Sequence, residues 1–324
     1  MFNNAINKRL NMKQITDTIL MIRPVSFRTN EQTSVNNYYQ KVLDSLTAET
    51  IQFKALQEFD AFVDKLRAVG INVIVISDTK EFNTPDSIFP NNWISFHENG
   101  DIGLYPMFAE NRRLERREDI LTTLEELGFV IENVIDYTAA EDEELFLEGT
   151  GSLLLDRVNN KAYCSLSDRA DEDLLIEFCE DFEYTPVSFV SYQTVKDKRL
   201  PIYHTNVMMC LGEKFSVICL DSIDDKKERK NVIKHLKEDG KEIIEITDEQ
   251  VNNFAGNMLQ VVGNNGVSYI IMSNSAYQCL TKQQLNRLKK HGEILYSSLD
   301  TIEACGGGSA RCMMAEVFLQ KVNN

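Results

Sequence analysis

Apolar and polar residues alternate along this chain in a way that predicts short strands joined by tight turns, each pair followed by an amphipathic helix. The first clear example spans residues 93–135 and has the order strand, turn, strand, helix, strand. Its turn holds Asn99 and Gly100, a pair typical of a tight connection between antiparallel strands. Four leucines are expected to form the buried face of its helix: Leu114, Leu121, Leu124 and Leu127.

The same order of elements recurs three more times downstream. The turns of the four copies lie near residues 99, 159, 213 and 264. Their separation of about 50 to 60 residues indicates an internally repeated architecture. The later copies are predicted at 152–156, 162–166, 171–182 and 186–192, at 207–211, 215–221, 225–239 and 242–246, and at 258–262, 267–273, 281–291 and 294–297.

The two ends of the chain supply the parts of a fifth copy. Residues 311–319 and residues 18–22 are both strand-like. A helix that buries Phe53, Phe59 and Leu66 is predicted to follow, and then another strand. If the ends pair, the unit occurs five times and the sheets close into a ring without exposed edges. An α+β domain with several hairpins and no ring symmetry is the alternative.

Composition limits the classes of partner. The chain has 324 residues, of which 43% are hydrophobic and 26% charged, as in an ordinary globular protein. Its 34 basic and 50 acidic residues give a formal charge of −16. Such a surplus argues against nucleic acid or an anionic membrane surface as a main partner. It is compatible with a cationic substrate but does not establish one.

Cysteine and histidine usage indicates a cytoplasmic protein without a metal site. The seven cysteines occur singly, which indicates free thiols in a reducing compartment. The four histidines do not have the spacing of metal ligands, and we predict neither a metal nor a cofactor. His97, beside a predicted turn, is expected to be exposed to solvent. No apolar run is long enough to span a bilayer.

Cys312 is the cysteine best placed for chemistry. It follows the loop Gly306-Gly307-Gly308, and glycines let a backbone approach a ligand closely. A phosphate loop is not indicated, because no Lys-Ser or Lys-Thr pair follows the glycines. A cysteine just after such a loop is a candidate nucleophile, although most cytosolic cysteines are only small buried residues.

Other polar residues stand in unusual surroundings. His204, at the entrance to a strand, is able to shuttle protons for a thiolate, although the residue taken alone favours a hydrogen-bonded structural role. Glu148 lies between an apolar triplet and a glycine turn, where plain solvation is poor. Residues 84–93 combine Asp86, two adjacent amides and the only tryptophan, which favours a polar site beside aromatic rings. Taken singly, Asp86 and the two amides are also typical of a turn.

In this order, the motifs resemble the guanidine-modifying superfamily of dimethylarginine hydrolases, arginine deiminases and amidinotransferases. The resemblance runs from about residue 19 to the C-terminus. The spellings Phe-Pro-Asn-Asn-Trp and Gly-Gly-Gly-Ser-Ala-Arg-Cys are most similar to the bacterial citrulline-utilisation hydrolase (citrulline ureidase) branch. The segments that carry the resemblance are Pro85-Asp86-Ser87-Ile88-Phe89-Pro90-Asn91-Asn92, Asn111-Arg112-Arg113, Leu147-Glu148-Gly149, Leu166-Ser167-Asp168-Arg169, His204 and the loop before Cys312.

The resemblance implies a pentein fold, which is an α/β propeller of five ββαβ modules with pseudo-fivefold symmetry. It implies one catalytic domain over residues 18–324 behind an N-terminal extension of residues 1–17. Cys312 would be the nucleophile, His204 the general acid and base, and Glu148 a carboxylate that holds the reacting group. The substrate-binding positions that it implies are Asp86, Phe89, Asn91 and Asn92, with Arg112 and Arg169 on the α-carboxylate.

Asn92 departs from the superfamily pattern, because dimethylarginine hydrolases and arginine deiminases have an aspartate there. Paired carboxylates suit a cationic guanidinium, whereas an amide suits a neutral ureido group. We therefore expect hydrolysis of citrulline to ornithine, ammonia and carbon dioxide, through a carbamoyl-thioester. Hydrolysis or deimination of arginine or dimethylarginine, and amidino transfer, are alternatives on the same fold. A ring protein that only binds an amino acid is the alternative from another class.

Two features stay open in the sequence. The polar segment 30–49 is either a lid over the site or an ordinary connecting helix. The oligomeric state is not fixed, and a homodimer is one possibility. The expected partner is a small amino-acid substrate.

Overall fold

The computed structural model describes residues 12–41, 43 and 46–322, and in this part of the chain the strands form five three-stranded sheets of one topology. In each sheet the first and second strands are antiparallel, and the second and third are parallel. Helical segments join the second strand to the third, as a parallel pair requires. The fold is therefore α/β, with the repeated unit that the sequence predicts.

Each sheet has a first, a second and a third strand. In that order, sheet by sheet, the strands are Ala315–Glu316, Thr18–Arg23 and Asn72–Ser77; Ile94–Phe96, Asp101–Leu104 and Asn133–Asp136; Leu153–Asp156, Lys161–Ser165 and Thr185–Phe189; Met209–Leu211, Phe215–Ile218 and Glu242–Glu245; and Leu259–Val262, Ser268–Ser273 and Glu293–Ser297. A separate hairpin of Tyr192–Val195 and Lys198–Pro201, absent from the predicted pattern, follows the third sheet.

The helical segments lie between strands and in the connections between sheets. The α-helices are Ala48–Ala68, Glu110–Arg113, Glu118–Glu126, Gly149–Ser152, Glu172–Asp181, Thr205–Met208, Lys226–Glu238, Asp248–Val251, Asn274–Cys279, Lys282–Leu288 and Asp300–Gly306. Short 3-10 turns occur at Pro90–Asn92, Thr138–Glu143, Leu220–Ser222, Asn264–Gly266 and Ala310–Met313. None of the helices in the described ranges combines the length and apolarity that a bilayer crossing requires.

The predicted pairing of the two chain ends is confirmed. Leu20 lies opposite Ala315 and Ile19 opposite Glu316 in an antiparallel pair. The C-terminal strand is shorter than the predicted 311–319, because Ala310–Met313 folds as a 3-10 turn before it. The first sheet is thus built from opposite ends of the sequence.

The third strand of each sheet is less buried than its first strand. Ile94–Phe96 is fully buried, whereas its sheet's third strand, Asn133–Asp136, is mostly exposed. Met209–Leu211 contacts both Leu153–Asp156 and Leu259–Val262, the first strands of the neighbouring sheets. The first strands therefore lie at the centre of the molecule and the third strands at its periphery.

Helix Ala48–Ala68 shows how the amphipathic pattern works and where its prediction fails. The side chain of Thr47 caps its first turn by accepting a hydrogen bond from the backbone of Thr50. Its buried stripe includes Phe59 and Leu66, as predicted. Phe53, predicted to be buried, is 61% exposed, because it lies on the opposite side of the helix from that stripe.

The helix predicted within residues 93–135 also differs from the expectation. It is divided into Glu110–Arg113 and Glu118–Glu126, and its buried face carries Ile120 and Leu124. Leu114 and Leu127, which were expected on that face, are 45% and 47% exposed. Both are the residues that end a helical segment, where the helical spacing no longer directs a side chain towards the core.

The division into an extension of residues 1–17 and one domain stays a prediction. Residues 1–11 lie outside the described part of the chain. Gln14 Nε2 donates to the carbonyl of Leu155, and Thr16 Oγ1 donates to that of Val317. Residues just before the expected boundary therefore pack onto the sheets.

Candidate active site

The candidate active site is assembled by segments that lead into the first strands of the sheets and by segments that follow second strands, which carry Thr33, Arg112 and Arg169. Four of these segments contain a short helical turn just before the strand: Pro90–Asn92, Gly149–Ser152, Thr205–Met208 and Ala310–Met313. Because the first strands lie side by side, the ends of these segments meet. Side chains that are far apart in sequence thereby face one cavity, on loops that a rigid scaffold positions.

Most of the predicted site residues line that cavity together. Seven of them do so: Asp86, Phe89, Asn92, Arg112, Arg169, His204 and Cys312. Glu148 lies behind His204 and is bonded to it. Asn91 is fully buried but does not line the cavity, and its side-chain amide has no hydrogen-bond partner within the described ranges. The wall is completed by Thr33, Asn37, Tyr203, Gly306 and Gly308.

His204 and Glu148 form a buried hydrogen-bonded pair. Nε2 of His204 lies 2.7 Å from Oε2 of Glu148, and the backbone N–H of Phe108 donates to Oε1. Burial alone would raise the pKa of Glu148, but the charge of Arg169 and the bond from His204 outweigh it and lower the pKa to about 2. An ionised carboxylate only accepts hydrogen bonds, so Nε2 of the imidazole carries the proton.

The imidazole is held neutral at ordinary pH. Burial lowers the pKa of His204 to about 4, with Glu148 opposing that shift and Arg169 adding to it. With its proton on Nε2, the ring has a free lone pair on Nδ1. A Cβ at Gly151 would lie 2.9 Å from that Nδ1 and 2.3 Å from Nδ2 of Asn92, so glycine keeps this corner of the site open.

Asp86 presents one carboxylate oxygen to the cavity. Asn30 Nδ2 and Thr33 Oγ1 both donate to Oδ2, at 2.8 and 3.0 Å. Oδ1 is buried and has no partner among the residues described. Burial raises the pKa of Asp86, while the charge of Arg112 opposes that rise. The free oxygen is therefore available to a donor on a ligand.

Arg112 fixes the side-chain amide of Asn92. Nη1 of Arg112 donates to Oδ1 of Asn92 at 2.9 Å, while Nε and Nη2 form a two-point ion pair with Glu115. A guanidinium can only donate, so the atom of Asn92 that faces it must be the oxygen. Nδ2 of Asn92 is then turned away, buried and without a partner in the described structure.

Arg169 is held mainly by neutral groups, with one longer ion-pair contact to Glu148. Its Nε donates to Oδ1 of Asn36 at 3.0 Å, and Nη2 donates to the carbonyl of Thr33 at 2.9 Å. The closest carboxylate oxygen, on Glu148, lies 3.5 Å from Nη1. The guanidinium also packs over the ring of Tyr203. Although it is almost fully buried, Arg169 lacks a bidentate carboxylate partner in the part of the chain that the structure describes.

Segment 30–49 was expected to be either a lid or a connecting helix, and its described residues cover the site. Residues 31–41 form turns, and the next helix begins only at Ala48. Asn37 Nδ2 donates to the carbonyl of Gly306, and the backbone N–H of Lys41 donates to that of Ala304. The segment thus joins the polar groups of the cavity to the glycine loop, which a simple connecting helix would not do.

His97, which was expected to be exposed, is buried. Its ring stacks on Phe182 with centroids 4.0 Å apart, and Nε2 shares a hydrogen bond with Ser95. Burial lowers the pKa of His97 well below its ordinary value. The strand Ile94–Phe96 directs it into the interior, a long-range effect that a turn motif does not indicate.

Several residues that contact the site were not predicted from the sequence. Glu115 is three positions after Arg112, a helical spacing that was readable as an ion pair. Asn206 stands two positions after His204, in a motif that was interpreted only through its histidine. Asn30, Thr33, Asn36 and Asn257 carry no local signal, because tertiary folding alone brings them to the site.

Known proteins are similar to this chain both in sequence and in fold. The model of the family described as N,N dimethylarginine dimethylhydrolase, eukaryotic, matches residues 23–319 of the chain. No curated protein sequence matches it. Solved structures do match in fold.

The N-terminal domain of ArgZ bound to substrate, an arginine dihydrolase from the ornithine-ammonia cycle in Cyanobacteria, has a TM-score of 0.69 and 18% identity, over 93% of this chain and 97% of that one. The complex of AgrE with L-arginine has a TM-score of 0.69 and 16% identity, over 93% of this chain and 40% of that one. A dimethylarginine dimethylaminohydrolase adduct with S-methyl-L-thiocitrulline has a TM-score of 0.62 and 15% identity, over 93% of this chain and 99% of that one.

Proposed function

We propose a function from the premise that the chain belongs to the N,N dimethylarginine dimethylhydrolase family, whose model matches residues 23–319, and so to the guanidine-modifying superfamily that its motifs resemble. Its class is that of hydrolases of linear carbon–nitrogen bonds. Within this class we propose that it hydrolyses the ureido group of citrulline to give ornithine, ammonia and carbon dioxide.

The free N–H of Asn92 carries this proposal. Because Arg112 takes the oxygen of that amide, Asn92 offers the cavity only a donor. A ureido group has a carbonyl oxygen to accept from this donor and an NH₂ group to donate to Oδ1 of Asp86. A guanidinium has no acceptor, so its N–H groups would oppose the N–H of Asn92 and leave both unsatisfied.

Cys312, His204 and Glu148 supply the proposed chemistry. Nδ1 of His204 takes the thiol proton, and the sulfur of Cys312 attacks the ureido carbon. The bond to the δ-nitrogen breaks as His204 protonates that nitrogen, and ornithine leaves a carbamoyl-thioester. Water then loses a proton to His204 and attacks the thioester, which frees the thiol and gives carbamate. Carbamate decomposes to ammonia and carbon dioxide.

Arg169 is the proposed site of the α-carboxylate. A carboxylate makes stronger, charge-assisted bonds to a guanidinium than the amide oxygen of Asn36 does. Substrate is therefore able to replace Asn36 and the Thr33 carbonyl on the fork of Arg169. Arg112, already paired with Glu115, orients Asn92 in this scheme instead of binding the carboxylate.

Hydrolysis of arginine or a methylated arginine is the second candidate. Asp86 lines the cavity and Glu148 lies behind His204, so two carboxyl groups are close to the site, and the similar ArgZ is described as an arginine dihydrolase. A guanidinium would keep the buried Asp86 ionised, which a neutral ureido group does less well. The two candidates share the fold and the nucleophile. They differ in the substrate group that faces Nδ2 of Asn92, which is a carbonyl oxygen in citrulline and an N–H group in arginine.

A substrate panel separates the two candidates. We would measure kcat/KM for citrulline, arginine, dimethylarginine and agmatine from ornithine, citrulline and ammonia release. The wild type is expected to prefer citrulline, and Asn92→Asp to move the preference towards arginine by about 100-fold. Asn253→Asp, the same change at an exposed turn, is the control. A wild type that hydrolyses arginine faster than citrulline contradicts the proposal.

We also propose that the five sheets are the blades of one propeller domain. The central position of the first strands, the pairing of the chain ends and the convergence of the lead-in segments support this arrangement. A cytoplasmic location is proposed from the seven free cysteines, six of which are buried.

A further inference from the structure

Two asparagine side chains contact the sulfur of Cys312, and the proposed reaction does not yet use them. Nδ2 of Asn257 lies 3.2 Å from Sγ, and Nδ2 of Asn206 lies 3.5 Å from it. All three residues are at most 3% exposed. The sulfur is therefore buried at the cavity wall and contacts two amide groups, and its thiol also lies 3.8 Å from Oδ1 of Asn206.

The orientation of the Asn257 amide is fixed by its other bonds. Its Oδ1 accepts from the backbone N–H of Arg311 at 2.9 Å, and its Nδ2 donates to the carbonyl of Asn206 at 2.9 Å. A backbone N–H can only donate, so the oxygen must face it and Nδ2 must face the sulfur. Gly256 permits this approach, since a Cβ there would lie 2.3 Å from the carbonyl of Val207.

No charged side chain bonds to the sulfur in the described part of the chain. The titratable groups of the cavity wall are Asp86, Arg112, Arg169, Tyr203 and His204, with Glu148 behind His204. Arg311, next to Cys312 in sequence, directs its guanidinium to Glu316 and to the carbonyl of Met314. Among the described residues, the hydrogen-bond donors within reach of Sγ are the two amides.

We propose that Asn257, assisted by Asn206, is a catalytic residue that stabilises the Cys312 thiolate by donating an amide N–H to the sulfur. An anionic sulfur accepts a stronger hydrogen bond than a thiol does, so a fixed donor favours the thiolate. The thiol proton passes to Nδ1 of His204, and the donors hold the sulfur in place until it attacks carbon. This role rests on Cys312 being the nucleophile but not on the identity of the substrate.

Alkylation of Cys312 by iodoacetamide tests this role without substrate. The rate is followed against pH by mass spectrometry of the peptide that contains Cys312. Asn257→Asp keeps the acceptor for the Arg311 N–H and removes both donors, while Asn257→Ala removes the donors without adding charge. The pH midpoint of alkylation is expected to rise by about one to two units in both variants, and by less in Asn206→Ala, whose contact is longer.

Asn253→Asp is the matched control, because Asn253 is exposed and only four positions from Asn257. Its alkylation midpoint is expected to equal that of the wild type. Circular dichroism and thermal unfolding establish that each variant is folded, and if both Asn257 variants fail to fold, Asn206→Ala decides the question.

Two results overturn the inference: an unchanged midpoint in the folded Asn257 variants, or a midpoint that falls. A raised midpoint in a protein that hydrolyses no citrulline would contradict the proposed function and leave the role of Asn257 supported.

Discussion

Two arginines that line the same cavity, Arg112 and Arg169, are held in opposite ways. Arg112 forms a two-point ion pair with Glu115, three positions later in the chain, and both side chains are almost fully buried. Arg169 directs its fork at Asn36 and at the Thr33 carbonyl, neutral groups of a distant segment. Arg112 has a two-point carboxylate partner, whereas Arg169 has a single longer contact to Glu148, and its fork bonds neutral groups that a carboxylate can replace.

This difference gives separate tasks to two residues to which the sequence assigned one, the binding of the α-carboxylate. A guanidinium already paired with a carboxylate gains little from a second anion, and Arg112 serves to set the direction of Asn92. A guanidinium bonded to amide and carbonyl oxygens gains a charge-assisted pair when an anion arrives. When two residues of the same charged type line one cavity, the role of each is therefore assigned from the groups that it bonds.

Breaking the Arg112 pair is expected to have the largest effect. Arg112→Met leaves the carboxyl of Glu115 buried without its partner, and the free energy of unfolding should fall by about 3 kcal/mol in urea titration. The double variant Arg112→Met/Glu115→Met should recover most of that loss. Arg113→Met, at a partly exposed neighbour, is the control. A loss below about 1 kcal/mol in the single variant would show that the pair is not structural.

Removal of the Arg169 fork should change recognition more than stability. Arg169→Met is expected to lower kcat/KM for citrulline by about 100-fold, mostly through KM. It should barely affect N-carbamoylputrescine, which is citrulline without its α-carboxylate. Arg113→Met should leave both substrates unchanged. If Arg169→Met penalises the two substrates equally, Arg169 does not bind the carboxylate.

A carboxylate placed in segment 30–49 should compete with the substrate carboxylate for Arg169. Asn36→Asp places an anion on the fork of Arg169, and KM for citrulline should rise by about 10-fold with little change in kcat. Ser34→Asp adds the same charge to an exposed position of that segment. An equal rise in both variants would assign the effect to general charge instead of the fork.

The smallest expected effect concerns pH. Because burial lowers the pKa of His204 to about 4, kcat/KM should keep its neutral-pH value until the pH approaches 4, where the base becomes protonated. Arg169 disfavours the protonated imidazole, so Arg169→Met should move this acid limb to higher pH, and Arg112→Met should move it less. An acid limb near 6.5 in the wild type would contradict the neutral, buried imidazole.

The parts of the fold that repeat were predictable from sequence, because each module carries its own local signals. Asp171 accepts from two backbone N–H groups at the start of Glu172–Asp181, and Gly100 takes a positive φ in the turn at 98–101. Exposed leucines at helix ends and the buried His97 were missed. Their burial depends on where an element stops and on what packs against it, which local spacing does not encode.

The site was predictable only where a motif marks it. Cys312, His204 and Asp86 belong to short motifs and line the cavity together, as expected. Asn36 reaches Arg169 across 133 positions, and Asn257 reaches Cys312 across 55. The role proposed for each of these asparagines depends on such a contact, which local sequence does not encode.

The pairing of the chain ends has a consequence for how the protein is made. Thr18–Arg23 acquires its first-strand partner only when Ala315–Glu316 has been synthesised, and Thr16 bonds to Val317 across 301 positions. Contacts of such sequence separation form late and slowly. Cys312 lies three positions before that strand, so its contacts with Asn206 and Asn257 also form only after the C-terminal segment has been synthesised. A nascent chain therefore brings Cys312 into the candidate site only as the last sheet is completed.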